Sequence, residues 1–394
     1  MKHLWKHVPP CMSDVLGFEA VLNNTEGLGV IDDCGQYKPI GMGRGGEFGR
    51  GGPGRPGGPG GRGGRGRPGW DIRVVNSEIR NADVITGTER KVLDAFAEGA
   101  ARRHPNFVLL CHAPSSSMIG SDLEANAARI AEESGLPAAY ARLDGSRDYL
   151  YGVSVTLEAM GKLLLQKTET RPGTVNLLGC DPIGWAEDTL PSVEAWLGEN
   201  GLRVLSRWGG KETTETLRAA AGAERNLVVS AAGLRLARYM EAEYGIPYTV
   251  GAPFGKAQCA RLLQNGPPAE TDAAAGEEPS VLIVGEYLTA DAIRWALEER
   301  GVAGIRCLTF FDADKSLLRP GDEKLAGEDA LCAQLAQPSV ERVFCDPDCK
   351  PLLRREGVTW VNLTNAARHA VAENVPPADF VREKLDAWLD EVTE

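Results

Sequence analysis

The chain reads as an α/β protein of three tandem, doubly wound, Rossmann-like domains with parallel sheets. Three observations predict this. Largely apolar runs of strand length, among them Phe107 to Cys111, Val175 to Leu178 and Val281 to Val284, alternate with longer stretches whose apolar residues recur at helical spacing. The alternation restarts twice, after the polar, proline-containing stretch Thr168 to Gly173 and after the small, acidic and proline-rich linker that begins at Gly266. The length, 394 residues, exceeds what one core fills and sets two or three domains as the expectation. Strand, helix and strand in succession make a parallel pair. The expected units span 1–167, 174–265 and 279–394.

In the first unit, Cys11 stands ahead of a glycine-containing apolar helix. Asp71 to Asn76 reads as a short strand, and Thr88 to Ala100 as a helix with Val92, Leu93 and Phe96 on one face. The buried strand Phe107 to Cys111 runs into a serine-rich turn. Ser121 and Asp122 are helix-capping residue types before a stripe of Leu123, Ala127, Ile130 and Ala131, and Gly135-Leu136-Pro137 stops that helix. A strand from Ala138 to Leu143 and a helix from Val153 to Gln166 follow. The second unit opens on the strand at Val175, which ends in the turn GCDPIGWAED. It continues with a helix from Leu190 to Glu199, a strand from Leu202 to Leu205 and a short helix from Thr214 to Ala221. A strand from Leu227 to Ser230 and a helix from Leu234 to Glu243 come next, and Gly245-Ile246-Pro247 closes that helix. The third unit has strands at Val281 to Val284, Gly304 to Thr309 and Val343 to Cys345. Its first helix is capped by Thr289 and runs to Arg300, and a terminal helix runs from Phe380 to Val392.

With 43% hydrophobic and 25% charged residues, the composition is that of a soluble globular protein, and the apolar runs are far short of a membrane span. The N-terminus breaks on Pro9 and Pro10 before an apolar leader core develops. Nine cysteines, an odd number scattered through a large chain, argue against a disulfide framework and for a reducing cytoplasm. The formal net charge of −12 argues against general nucleic-acid binding, which needs a basic face. One segment departs from that balance. Residues 41–69 carry six arginines (Arg44, Arg50, Arg55, Arg62, Arg65, Arg67) against Glu47 alone, so the segment is +5 and the remainder −17. A glycine, proline and arginine mixture has little to bury, so it reads as a disordered insert, either a solvated linker or an arginine-rich anion binder.

The chemistry concentrates in two stretches, Cys11 to Tyr37 and the segment FVLLCHAPSSSMIGSDLEA from Phe107. Each sets a cysteine beside a strand or turn and follows it with small residues. Thiolates are the soft ligands that an iron–sulfur cluster needs, and glycine or serine leaves room for inorganic sulfide. The spacing of Cys11 and Cys34 is not that of a zinc or ferredoxin pair, so buried structural thiols are the competing reading. Of the five histidines, His112 stands next to Cys111, where it serves either as a proton donor or as a satisfied polar neighbour. Cys345 and Cys349, in CDPDC, lack a second ligand pair and read as structural, as does Cys180. The glycines that follow strands, as in Val284-Gly285-Glu286, lack the G-x-G-x-x-G spacing, and no Walker A sequence occurs, so any ATP use belongs to a partner.

The order of several stretches resembles the nitrogenase component 1 family of oxidoreductases. CGQY at Cys34 and the cysteine at Cys11 are similar to that family's first two cysteine motifs. NADVITGTERKVLDAF from Asn81, MIGSDLEA from Met118, VNLLGCDP from Val175, NLVVSAAGLRLARYMEAEYGIPY from Asn226 and CDPDCKPLL from Cys345 resemble further segments in the same order. The resemblance covers nearly the whole chain outside the glycine- and arginine-rich insert.

The resemblance implies three doubly wound domains, a dimer of identical subunits or of this chain with a related component 1 subunit, and an iron–sulfur cluster of the 4Fe-4S type near the subunit interface. It also implies an ATP-dependent iron–sulfur reductase as electron donor. The implied ligands are Cys11, Cys34 and Cys111. Cys111 lies three residues before Pro114, which occupies the place of the family's third cysteine, and Asp33 or a residue from a second subunit would complete the coordination. In true nitrogenases a cysteine of the second domain holds the catalytic metal cofactor. The matching place here is Val229-Ser230, which supplies no thiolate. The expectation is therefore a nitrogenase-like reductase of an organic or tetrapyrrole-type substrate rather than of dinitrogen. The alternative is a non-catalytic scaffold for cofactor assembly on the same fold.

Overall fold

The computed structural model describes residues 5–35, 72–186, 188–264, 278–365, 367 and 378–393. The insert at 41–69 and most of the linker that begins at Gly266 lie outside them. The first unit contains α1 (Asp14–Leu22), β1 (Gly27–Asp32), β2 (Val74–Asn76), α2 (Asn81–Thr86), α3 (Glu89–Arg103), β3 (Phe107–His112), α4 (Pro114–Ile119), α5 (Leu123–Ser134), β4 (Ala138–Tyr140) and α6 (Tyr149–Leu164). The second contains β5 (Arg171–Leu178), α7 (Thr189–Glu199), β6 (Arg203–Trp208), α8 (Thr214–Ala219), β7 (Ala223–Val228), α9 (Leu234–Tyr244), β8 (Tyr248–Val250) and α10 (Lys256–Leu263). The third contains β9 (Val281–Val284), α11 (Tyr287–Glu299), β10 (Ile305–Thr309), β11 (Glu323–Lys324), α12 (Glu328–Leu335), β12 (Arg342–Cys345), β13 (Thr359–Asn362) and α13 (Glu383–Thr393).

Each unit carries one parallel sheet, in the orders β2-β1-β3-β4, β6-β5-β7-β8 and β11-β10-β9-β12-β13. In each, the first strand lies inside the sheet. The chain winds to one edge and then crosses back to the other side of that strand. This leaves a switch point between β1 and β3, between β5 and β7, and between β9 and β12, where the connections leave in opposite directions and open a crevice at the carboxyl ends.

The first sheet shows how alternation sorts side chains. Leu28 and Val30 of β1, with Val108 and Leu110 of β3, pack under α3 and α5 against Val92, Ala95, Leu123 and Ile130. Their neighbours Ile31, Phe107, Leu109 and Cys111 face the other way, into the core that contains Phe18 and Leu22 of α1 and Val153 and Leu157 of α6. Every residue of α1 is buried, as an apolar helix enclosed on all sides requires. It lies close to α6 because both carry glycine at the contact: a β-carbon at Gly17 would come within 2.3 Å of the Tyr149 carbonyl oxygen, and one at Gly152 within 2.0 Å of that of Asp14.

Some elements differ from the sequence expectation. The serine-rich turn after β3 is the helix α4, with Pro114 in its first turn and Gly120 left-handed at its end. The cap of α11 is Glu286, whose carboxylate accepts from the Thr289 N–H, rather than Thr289. The polar hinge is shorter than expected because β5 already begins at Arg171. The terminal helix starts at Glu383, since Val381 and Arg382 are held in bridges to Phe254. Among the described residues no helix is long and apolar enough to cross a membrane.

Candidate functional site

The carboxyl end of the first sheet collects an ordered polar network. Asp32, the last residue of β1, shares the α3/α5 face and is fully buried. Its carboxylate accepts from Ser77 Oγ at 2.7 Å and from Thr88 Oγ1 at 3.3 Å, and Thr88 Oγ1 also lies 2.7 Å from Ser121 Oγ. Burial raises its pKa, against the hydrogen bonds from Ser77 and Ser121 that hold it down. Next to it, the Asp33 carboxylate accepts from Ser115 Oγ at 2.9 Å and from the Asn76 amide at 3.2 Å. These contacts pin β2, α3 and α4 to the end of β1, directly before Cys34.

His112 closes the network on the β4 side. Its Nε2 lies 3.0 Å from the Ser121 carbonyl, which can only accept, so Nε2 carries the proton and Nδ1 accepts from the Tyr140 hydroxyl at 3.1 Å. Burial lowers the pKa of this imidazole, in accord with a neutral ring. The sequence marked His112 and Asp33 but not Asp32, Ser77, Thr88, Ser115 or Tyr140. Asp32, Ser77 and Ser115 share the signal of a small polar residue within a few positions of a strand end, whereas Thr88 is marked by preceding helix α3 and Tyr140 carries neither signal.

The three cysteines implied by the resemblance differ in environment. Cys34 is exposed just beyond β1, and Gly35 beside it opens onto free space. Cys11 is half-buried, two residues before Ser13, whose backbone pairs with Asp148 at the start of α6. Cys111 pairs with Ile31 across the β1/β3 switch point, but its side chain is fully buried in the α1/α6 core. Burial, and then the charges of Asp14, Asp32 and Asp33, push its thiol well above the ordinary range. For an iron–sulfur cluster, the soft donors Cys11 and Cys34 fit in chemistry and access. Cys111 does not fit in this conformation, because a ligand must be a thiolate and must be reachable. Among the described residues no group of three or more His, Cys, Asp and Glu side chains is gathered closely enough to hold a metal ion.

The other two switch points differ from the first and from each other. In the second sheet, Ser230 is fully buried and its Oγ donates to the Gly179 carbonyl at 2.6 Å. The next N–H, that of Ala231, donates to Glu286 Oε1 of the third unit at 2.9 Å. The Val229-Ser230 position is thereby sealed by the second unit's own backbone and a carboxylate from the third. In the third sheet a small, partly open cavity lies at the carboxyl ends of β9, β10, β12 and β13. Gly285, Phe310, Phe311, Cys345, Cys349 and Asn365 contribute to its lining. Cys345 and Cys349 therefore face a common space.

Comparisons with known proteins agree with the architecture. A family model described as nitrogenase component 1 type oxidoreductase matches residues 62–265. The chain is 30% identical over 198 residues to the nitrogenase iron-molybdenum cofactor biosynthesis protein NifE of Nostoc sp., covering 48% of this chain and 40% of that protein. It is 29% identical over 207 residues to the nitrogenase molybdenum-iron protein alpha chain of Azospirillum brasilense, covering 48% and 41%. It is 24% identical over 207 residues to one of the subunits of light-independent protochlorophyllide reductase from Nostoc punctiforme, covering 49% and 41%. In these alignments the chain spans less than half the length of each of the three relatives. A solved structure titled nitrogenase Cp1 at pH 6.5 superposes with a TM-score of 0.70 at 10% identity, covering 100% of this chain and 93% of that one, a likeness of fold.

Proposed function

The chain belongs to the nitrogenase component 1 type oxidoreductases, and from that membership we propose that it is a nitrogenase-like catalytic-component subunit with an iron–sulfur cluster at the carboxyl end of its first sheet. In this reading it takes electrons from an ATP-dependent iron–sulfur reductase and passes them to an organic or tetrapyrrole-type substrate. The domains are 1–167, 174–265 and 279–394. The observation that carries the reading is Cys34, an exposed thiol at the β1/β3 switch point, held by the buried Asp32 and Asp33 network behind it.

A bound cluster, of the 4Fe-4S type, supplies one-electron storage and transfer. Cys11 and Cys34 serve as its accessible ligands. The resemblance implies Cys111 as the third, against its buried position in this structure, and a second subunit, identical or related, supplies the remainder. Val84 and Ile85 on α2, and Met118 on α4, are exposed apolar side chains that such a subunit would cover. Asp32 and Asp33 fix the loop that carries Cys34, and His112 keeps its proton on Nε2 toward Ser121. The sealed Val229-Ser230 position supports a substrate other than dinitrogen. A reducing cytoplasm is the compartment such a cluster needs.

Anaerobic reconstitution with iron and sulfide tests this. The expected result is bound iron and sulfide with broad visible absorption, abolished in Cys34→Ser and in Cys11→Ser. A wild-type protein that stays colourless and metal-free overturns the cluster. A second reading, a scaffold that holds a metal cofactor and hands it on, is favoured by the likeness to NifE proteins from several organisms. It predicts cofactor release to another protein and no turnover when reductase and ATP are added.

A further inference from the structure

The segment that delivers Cys11 does not belong wholly to the first unit. Trp5 packs against Phe310 with ring centroids 5.1 Å apart and planes tilted by 60°, and Lys6 Nζ lies 3.1 Å from the Asp329 carboxylate. One oxygen of Glu328, at the start of α12, accepts from the N–H groups of both His7 and Val8, at 2.9 and 3.3 Å. The Val8 side chain is buried with Leu282, Val284, Leu331 and Val343 in the third unit's core. Residues 5–8 are thus seated on the third sheet and α12, although in sequence they fall within the first unit.

Three residues beyond Val8, Cys11 meets a second set of anchors. The Met12 N–H donates to the Ala367 carbonyl at 3.0 Å, Ser13 pairs with Asp148, and the Asp14 N–H donates to the Arg147 carbonyl at 3.0 Å. Asp148 belongs to the same seam: its Oδ1 accepts from the Tyr151 N–H at the start of α6 and from the Asp312 N–H of the third unit at 3.0 Å. Lys324 and Arg147 both bind the Asp312 carboxylate, at 2.8 and 3.2 Å. Between the two sets of anchors lie Pro9 and Pro10, whose rings fix φ and stiffen the spacer. A stiff, short spacer passes a shift at one anchor to the other instead of absorbing it.

We propose that residues 5–13 form a strap that sets the position of Cys11 from the third unit, with Trp5, seated on Phe310, as its positioning residue. Phe310 also lines the cavity at the end of the third sheet. The wall of that cavity and the Cys11 segment are therefore in contact, through the Trp5 ring on Phe310 and through Val8 in the core it shares with Val284. The first unit alone does not place this thiol, and Cys11 takes its position only once the first and third units have docked. What this implies for cluster assembly rests on the reading of Cys11 as a ligand; the strap itself does not.

The test is the alkylation rate of Cys11 by iodoacetamide in metal-free full-length protein under anaerobic conditions. Rates are read peptide by peptide by mass spectrometry, with Cys34 as internal control, and circular dichroism and thermal unfolding verify that each variant is folded. Trp5→Ala and Phe310→Ala are each expected to raise the Cys11 rate by roughly five- to tenfold while Cys34 stays within about twofold, as a local opening that loses one anchor would. Trp5→Phe, which keeps a ring on Phe310, is expected to restore the slow rate. An unchanged Cys11 rate in both alanine variants overturns the strap, as does a parallel rise at Cys11 and Cys34, which signals general loosening. Metal-free protein keeps this outcome separate from failure of the cluster, which the iron and sulfide content of the wild type reads.

Discussion

At the scale of single residues, Asp14 is one of two side chains whose energetics can be read directly. One of its oxygens accepts from the Val15 N–H at 2.8 Å, and the other is buried without a partner among the described residues. Burial, and then the nearby Asp144, push its carboxyl up to about 6. A carboxyl whose folded pKa lies above its unfolded value binds protons more tightly when folded. Stability from this group therefore falls as pH rises from about 4 to about 6, by roughly 3 kcal/mol at most, and is flat above. Urea unfolding of wild type and Asp14→Asn between pH 4 and pH 8 is expected to show the difference moving in the variant's favour by that amount. Equal pH dependence in the two proteins would show that Asp14 ionises normally. Ser77 is the other informative residue. It donates to buried Asp32 and accepts from the Asp33 N–H, so Ser77→Ala is expected to cost about 2 to 3 kcal/mol in the same assay near neutral pH.

At the scale of elements, the contact of α1 with α6 is decided by atoms that are missing from glycine. A methyl group at Gly152 cannot avoid the Asp14 carbonyl without moving one helix. Gly152→Ala is therefore expected to destabilise the protein by about 2 to 4 kcal/mol, seen as a lower urea midpoint, although alanine favours helix intrinsically. A stabilised variant would show that α1 yields easily. Most helices and strands were legible in the sequence, because period and end signals coincide: Asp122 caps α5 and Gly135 ends it, as residue type suggested. The helix α4 was not legible. Its three serines have weak helix preference and hid a proline start and a glycine stop that were both present. Cys111 shows a different limit. Its strand was correctly placed, but the side chain's direction depends on register against β1, and that turned the thiol into the core.

At the scale of the whole molecule, three parallel sheets could be read from the rhythm of the chain, but their joints could not. Residue order does not reveal which strand crosses to which edge, nor that residues 5–8 return to the third unit. The units share a continuous apolar core and are joined as well by polar groups whose partners lie far away in sequence, and no local pattern announces such pairs. Glu286 is the clearest case. It is fully buried, and burial raises its pKa against the hydrogen bonds it receives. One oxygen accepts from the Ala231 N–H, just before α9 in the second unit, while the other accepts from the Thr289 N–H and hydroxyl in the first turn of α11 in the third. One carboxylate thus satisfies two helix starts on two sheets. Replacing it with alanine leaves buried donors unpaired on both sides, at about 1 to 3 kcal/mol for each. Hydrogen exchange should then speed up at the Ala231 and Thr289 amides together in Glu286→Ala, while the interior amides of β5 and β9 exchange as before. Acceleration at Thr289 alone would reduce Glu286 to a local cap and leave the joint between the second and third units to the apolar contacts of α10 with α11.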